Sequence, residues 1–335
     1  MKEKLSFLML GVLVGMLATT FIVGFNAVFG GTSQNSKKVL KLAHGLDASH
    51  PVHKAMLYMK DEVEKMSSGK LSLDIYSGGV LGSEPQCIEQ LNNGSLDMTK
   101  ASTAQLGTFV PRMYLLTLAY LYRDSNHYWN VLNSNIGKSF FRYLKNAGFI
   151  GLCYYDAGSR CFYTSKKKIS SSEDLKGMKI RVMNSRTDME MVSCFGASPT
   201  PISSGETYTA LAQGLVDGAE NNLPTYLTSA HYEICKYFIF DEHTRIPDVL
   251  IISEKTWSIL SEKEREILKK ASEKSSRFQR ELWAKSEKEA VDILKEKGVE
   301  FINVDKSNFR KITEKIFSKY TGEDAEIIKQ IINTK

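Results

Sequence analysis

The chain has 335 residues, 42% of them hydrophobic and 24% charged, with a formal net charge of +6. That length is too great for one small core and suits two lobes of ordinary domain size. The charge is modest and spread over mixed-sign segments such as Ser261–Lys274, which argues against a nucleic-acid-binding stripe or a strongly acidic partner. Five cysteines (Cys87, Cys153, Cys161, Cys194, Cys235) are an odd number, far apart, and most read as small buried apolar side chains. A Cys153–Cys161 bridge after export is left open, and nothing in the sequence specifies it.

Lys2 and Lys4 make a basic start, and Leu5–Phe25 is then uncharged and mostly apolar. Residues 1–30 are expected to be a secretory signal or an uncleaved signal-anchor, since about 20 apolar residues reach across a bilayer. Residues 31–38 read as a polar spacer, and 39–335 as an extracytoplasmic domain. It is expected in the periplasm, or at the outer face of the membrane if the segment is retained.

Val39–His44 reads as a strand, Pro51 to about Met66 as a helix and Leu71–Tyr76 as a second strand, which opens an α/β domain. Next, Ser77-Gly78-Gly79-Val80-Leu81-Gly82 is a glycine-rich loop, Ser83 an N-cap and Pro85 a first-turn residue. The helix stops at Asn93-Gly94 and Leu96–Thr99 restarts as a strand. The same grammar recurs after Thr200-Pro201-Ile202, where a helix Glu206–Ala212 stops at Gly214 and Val216–Ala219 leads to Glu220-Asn221-Asn222. Leu91–Asp97 and Leu211–Asp217 align in register, so two similar lobes are expected. In open α/β sheets ligands sit beyond the carboxyl ends of strands, which places a cleft between the lobes.

Between these units, His127–Leu144 reads as a helix, Phe149–Tyr155 as a strand, and Cys161–Ser165 as extended chain. The sequence then reads as a capped turn at Ser171-Ser172-Glu173-Asp174, followed by the strand Lys179–Met183. A helix after Pro224 runs through Tyr232 into the strand Tyr237–Phe240, and Val249–Ile252 is a buried strand. Ser261-x-x-Glu264 is a capping box that opens a helix to about Lys297. Its roughly 35 residues span on the order of 50 Å, longer than either lobe needs. Val299–Asn303 is a late strand and Phe309–Ile332 finishes as helices.

In Lys179–Met183, alternation puts Ile180 and Val182 on one face and Arg181 on the other. A guanidinium near a strand end, followed by Asn184, suits a carboxylate; the bland alternative is a surface arginine in a weak ion pair. No G-x-S-x-G elbow, phosphate loop, dinucleotide fingerprint or H-E-x-x-H occurs, so no enzyme activity, cofactor or metal is expected. The polar set inferred at the cleft is Arg181, Arg160, Asn221, Asn184, Glu84 and His44, which reads as recognition of anions and hydroxyls.

Residues 39–330 resemble the DctP-type extracytoplasmic solute receptors of TRAP transporters (tripartite ATP-independent periplasmic systems). The stretches that carry the resemblance, in this order, are Gly69-Lys70-Leu71, Gly79-Val80-Leu81-Gly82, Gly94-Ser95-Leu96-Asp97, Asp174–Val182, Gly196–Pro201 and Val216–Asn221. The resemblance implies a two-lobed α/β periplasmic-binding-protein fold with hinge strands and a long helix crossing both lobes. It implies that Arg181 forms the salt bridge to a ligand carboxylate and that Arg160 assists. It also implies that Asn221 bonds the ligand, that Asn184 lies beside the carboxylate and that Glu84 reads hydroxyls. The partners it implies are a small organic acid and the permease subunits, with the receptor itself a monomer. Sialic-acid-binding members carry a glutamate and an arginine where Ser102 and Gln105 stand here. The segment Asp156–Arg160, with His44 and His50-Pro51, is similar instead to members that take hexuronates. A C4-dicarboxylate is the alternative ligand and would need a second cation, from Arg186 or Lys100, both expected to face solvent. A less favoured alternative is a secreted enzyme acting on a carboxylated sugar, with His44 as its base.

Overall fold

The strands, in chain order, are β1 (Lys38–Ala43), β2 (Leu71–Tyr76), β3 (Met98–Ser102), β4 (Phe149–Tyr155), β5 (Cys161–Thr164) and β6 (Lys179–Val182). They continue with β7 (Ser198–Pro201), β8 (Gly218–Asn221), β9 (Tyr237–Ile239), β10 (Asp248–Ser253) and β11 (Glu300–Ile302). This computed structural model describes residues 37–335. The expected signal or anchor and most of the spacer lie outside the described residues.

The strands form two mixed sheets, β2-β1-β3-β10-β4 and β11-β9-β5-β8-β6-β7. The repeat read from the sequence extends to the pairing. β1 runs parallel to β3, and β6 runs parallel to β8. In each sheet the next neighbour is antiparallel, β10 beside β3 and β5 beside β8. Asp97 Oδ2 accepts the Lys41 amide at 2.8 Å, and Asp217 Oδ2 accepts the Lys179 amide at 2.8 Å. The two aligned aspartates thus perform the same task in the two lobes: each ties a helix-to-strand turn to the neighbouring parallel strand. β3 and β8 each begin two residues later than the alternation suggests, immediately after these aspartates.

Chain passes between the sheets at Asp156–Arg160, after β4, and at Asp241–Pro247, before β10. These connections are hydrogen-bonded to each other, with the Arg160 amide donating to Thr244 O at 2.8 Å. The helix Glu262–Glu296 has 35 residues and opens on the expected Ser261–Glu264 capping box. It packs against the helix Pro51–Met66 and β4, and further along against the helix Leu223–Thr228. Leu268, Ala271 and Trp283 join the core of the first lobe, and Ala290 and Leu294 that of the second. One rigid rod therefore serves both cores.

Several elements differ in detail from the sequence reading. His127–Leu144 divides into Ser125–Asn133 and Asn135–Asn146, because Ser134 is extended and its hydroxyl caps the second helix through the Ile136 amide. The helix after Pro224 ends at Thr228, where Ala230 turns left-handed (φ 56°) before a short 3-10 turn. Ser198–Pro201 is an unanticipated strand; its two prolines are tolerated because β7 is the edge of its sheet. All five cysteines are free, including Cys153 and Cys161.

Gly158 lies in the first connection with φ +58°. A Cβ there would sit 2.4 Å from Glu287 Oε1 and 2.8 Å from Trp283 Nε1, both on the long helix. Gly158→Ala is expected to lower stability by about 1–3 kcal/mol, from left-handed strain plus the clash. Thermal denaturation would show a Tm lower by a few degrees; an unchanged Tm would show that the connection relaxes freely.

Candidate functional site

A cleft of about 810 Å³ is lined by residues of both sheets and both connections. Arg181, Arg160, Asn221, Asn184 and Glu84 all line it, whereas His44 does not.

Arg181 reaches the cleft because β6 alternates. Ile180 and Val182 are fully buried in the core, and Arg181 projects from the other face, in register with Thr200 and Ala219. Its exposure is 1%, so the surface-arginine alternative does not hold. Nε and Nη2 both donate to Ile202 O, at 2.9 and 2.7 Å, which fixes the plane of the guanidinium. No carboxylate among the described residues forms an ion pair with it. Burial accordingly pulls its pKa below the ordinary arginine value.

Arg160 is in the opposite situation. Its Nε meets Glu220 Oε2, its Nη2 donates to Glu220 Oε1 at 2.7 Å and to Glu220 O at 2.9 Å, and its Nη1 donates to Asn221 Oδ1 at 3.0 Å. Behind this pair, His243 Nε2 lies 3.4 Å from Glu220 Oε2, and His243 Nδ1 lies 2.6 Å from Asp241 Oδ2. Burial opposes the Glu220 charge, but Arg160 and the hydrogen bonds outweigh it and hold the carboxyl down to about 2. Burial likewise opposes a charge on His243, yet Asp241 and Glu220 push it up to about 9. Asn221 Oδ1 also accepts the Asn222 amide at 2.9 Å, so the side-chain oxygen is doubly engaged while the amide nitrogen remains available.

On the first-sheet side, Glu84 opens the helix Glu84–Asn93, and its Oε1 accepts the Ser102 amide. Burial raises its pKa despite the nearby Lys100. Two expectations are corrected here. Lys100 is buried, not solvent-facing, with Nζ 3.1 Å from Asp248 Oδ1 and 3.8 Å from Glu84 Oε2. His44 sits outside the cleft lining, where Nδ1 accepts the Leu46 amide at 3.2 Å and Nε2 meets His53 Nδ1 at 3.0 Å. Both ring nitrogens are spent, and burial lowers the pKa to about 3. His50 lines the cleft instead, with Nε2 3.3 Å from Thr225 Oγ1 across the two lobes. Arg186 is exposed, its guanidinium 5.8 Å from the centre of the Tyr114 ring, and does not line the cleft.

Lys100, Asp248, Ser102, Gln105 and Thr225 also line the wall; of these only Lys100 was considered as a ligand contact, and only for a C4-dicarboxylate. Lys100 did leave a signal, as the only charge inside the buried strand Met98–Ser102. Gln105 lines the cleft, and its buried Oε1 has no hydrogen-bond partner among the described residues.

This arrangement has counterparts among known proteins. Residues 42–323 match the family described as bacterial extracellular solute-binding protein, family 7 (DctP). The chain belongs to that family. It is 35% identical to the uncharacterized protein YiiZ of Salmonella typhimurium over 84% of this chain and 87% of that one. A TRAP periplasmic solute-binding protein of Bradyrhizobium sp., solved in complex with galacturonate, is 37% identical with a TM-score of 0.87. The match covers 89% of this chain and 100% of that one. The counterpart from Pseudomonas putida F1, solved with bound D-glucuronate, is 33% identical with a TM-score of 0.86, covering 89% and 97%. The family 7 chain described here therefore has the expected TRAP-receptor fold: two α/β lobes, two connections between them and one long helix shared by both. Among its described residues no helix is long and apolar enough to cross a membrane.

Proposed function

We propose that this family 7 receptor captures a hexuronate or a closely related sugar acid outside the cytoplasm and passes it, unaltered and as a monomer, to a TRAP permease. The observation that carries the reading is Arg181, a cation with 1% exposure that lines the cleft and has no ion-pair contact among the described residues. Burying an unpaired charge is unfavourable, and a ligand carboxylate relieves it with a charge-assisted, bidentate contact. The Asn221 amide and Asn184, on the same side of the cleft, add donors for that carboxylate.

The opposite wall argues for what the carboxylate is attached to. Lys100, Glu84 and Asp248 sum to a charge of −1, and the lysine is already paired. A second carboxylate would meet net repulsion there, whereas hydroxyl groups would find acceptors in Glu84, Asp248 and Gln105. This favours a polyhydroxylated monoacid over a C4-dicarboxylate. It agrees with the uronates bound by the Bradyrhizobium and Pseudomonas proteins.

Ligand binding to the native state raises Tm by mass action. Galacturonate or glucuronate at millimolar concentration is expected to raise Tm by several degrees, succinate and malate by little or nothing. A larger shift with succinate than with either uronate would overturn the hexuronate reading. Recovery of the uronate unchanged after prolonged incubation checks that the protein only binds it.

A further inference from the structure

Six charged groups, Arg160, Arg181, His243, Glu220, Asp241 and Asp188, are each no more than 6% exposed; two of them line the cleft, and Asp188 follows the cleft-lining Asn184 by four residues. Four of them form one chain, Asp241–His243–Glu220–Arg160. The two that remain are Arg181 and Asp188. Asp188 lies in the first turn of the helix Arg186–Cys194, with 2% exposure and neither carboxylate oxygen hydrogen-bonded among the described residues. An unpaired buried carboxylate is as unfavourable as an unpaired buried guanidinium, and the two occur in the same cluster. With Asp188 ionised, three cations and three anions balance. A ligand carboxylate at Arg181 would add a fourth negative charge.

We propose that Asp188 is a positioning residue for ligand binding, the internal counter-charge of Arg181, and that its carboxylate takes one proton from solvent when a ligand carboxylate arrives. The oxygen–hydrogen bond formed on Asp188 restores neutrality to the buried cluster, so capture is coupled to proton uptake. This rests on the reading of Arg181 as the carboxylate anchor.

The groups around Asp188 support the coupling. Glu220 of β8 acts against its charge, and Arg160, His243 and Arg181 act for it. Burial and Glu220 together bring Asp188 up to about 7, so a further negative charge nearby shifts its protonation within the neutral range. Lys179 of β6 is exposed, and on the helix itself Arg186 is exposed and Glu190 pairs with Lys319. Neither β7 nor the turn Thr103–Leu106 has an ionisable side chain. In the turn Pro111–Thr117, Arg112 is held by Glu323 and Asp324, and Tyr114 lies beside Arg186. In the helix Lys306–Thr313, Lys306 pairs with Glu242, Arg310 lies over Tyr120, and Lys311 is exposed.

Titration calorimetry of the full receptor with galacturonate at pH 8, in buffers of different ionisation enthalpy, counts the protons exchanged. Uptake of roughly 0.5–0.9 proton per ligand is expected for the wild type. In Asp188→Asn, uptake is expected to fall to near zero while binding persists. Binding without proton uptake in the wild type, or equal uptake in wild type and variant, would overturn the role of Asp188 and leave the cleft assignment standing. No binding heat with galacturonate in the wild type would overturn both. The wild-type buffer series decides the matter even if the variant does not fold.

Discussion

Arg181→Ala is expected to weaken galacturonate binding by roughly 10²–10⁴-fold without destabilising the ligand-free protein. The affinity loss follows from removing one partner of a buried charge pair, worth about 3–5 kcal/mol. The stability outcome distinguishes this arginine from a structural one. Arg181 gives its protein contacts to a single carbonyl, Ile202 O, and burial already depresses its pKa, so in the empty cleft it is a net liability. Its Tm without ligand should stay level or rise on truncation, while the galacturonate-dependent rise in Tm disappears. Arg181→Lys should recover only part of the affinity, because an ammonium cannot present the fork to a planar carboxylate. Unchanged affinity by calorimetry in Arg181→Ala would remove Arg181 from the ligand site. A large fall in Tm would instead make it part of the scaffold.

The legible part of this molecule was the part governed by local rules. Alternation in Lys179–Met183 put Arg181 on the face opposite the core, and the Ser261–Glu264 box marked the start of the long helix. The aligned segments ending at Asp97 and Asp217 showed that the fold is built twice, down to the matching aspartate-to-amide bonds. What was not legible depends on pairing across long sequence separations. Lys100 read as a solvent-facing charge because its neutraliser, Asp248, lies 148 residues away. His44 and His50 look equivalent in sequence, and only packing decides between them: His53 takes the free nitrogen of His44, while His50 reaches Thr225 in the other lobe. The contrast between Arg160 and Arg181 has the same origin. Both arginines sit where a strand meets a turn, but Glu220 comes with β8 to neutralise one and leaves the other bare.

That division makes Glu220 the residue whose loss should be felt most in stability. Glu220→Gln leaves Arg160 and His243 as buried cations and is expected to lower stability by about 3–5 kcal/mol, a fall in Tm of roughly 10 °C. The pH dependence should change with it. Glu220 titrates at about 2 in the fold against an ordinary 4.5, so its contribution is present above pH 4.5 and is lost as pH falls toward 2. His243 titrates at about 9 against an ordinary 6.5, so its contribution is complete below pH 6.5 and is lost as pH rises toward 9. The difference in stability between wild type and Glu220→Gln should therefore be greatest between about pH 4.5 and 6.5 and narrow on either side. Denaturant midpoints measured from pH 3 to 9 test this. A difference that stays constant over the whole range would mean that Glu220 acts by packing and that the arginine it faces is not held by charge.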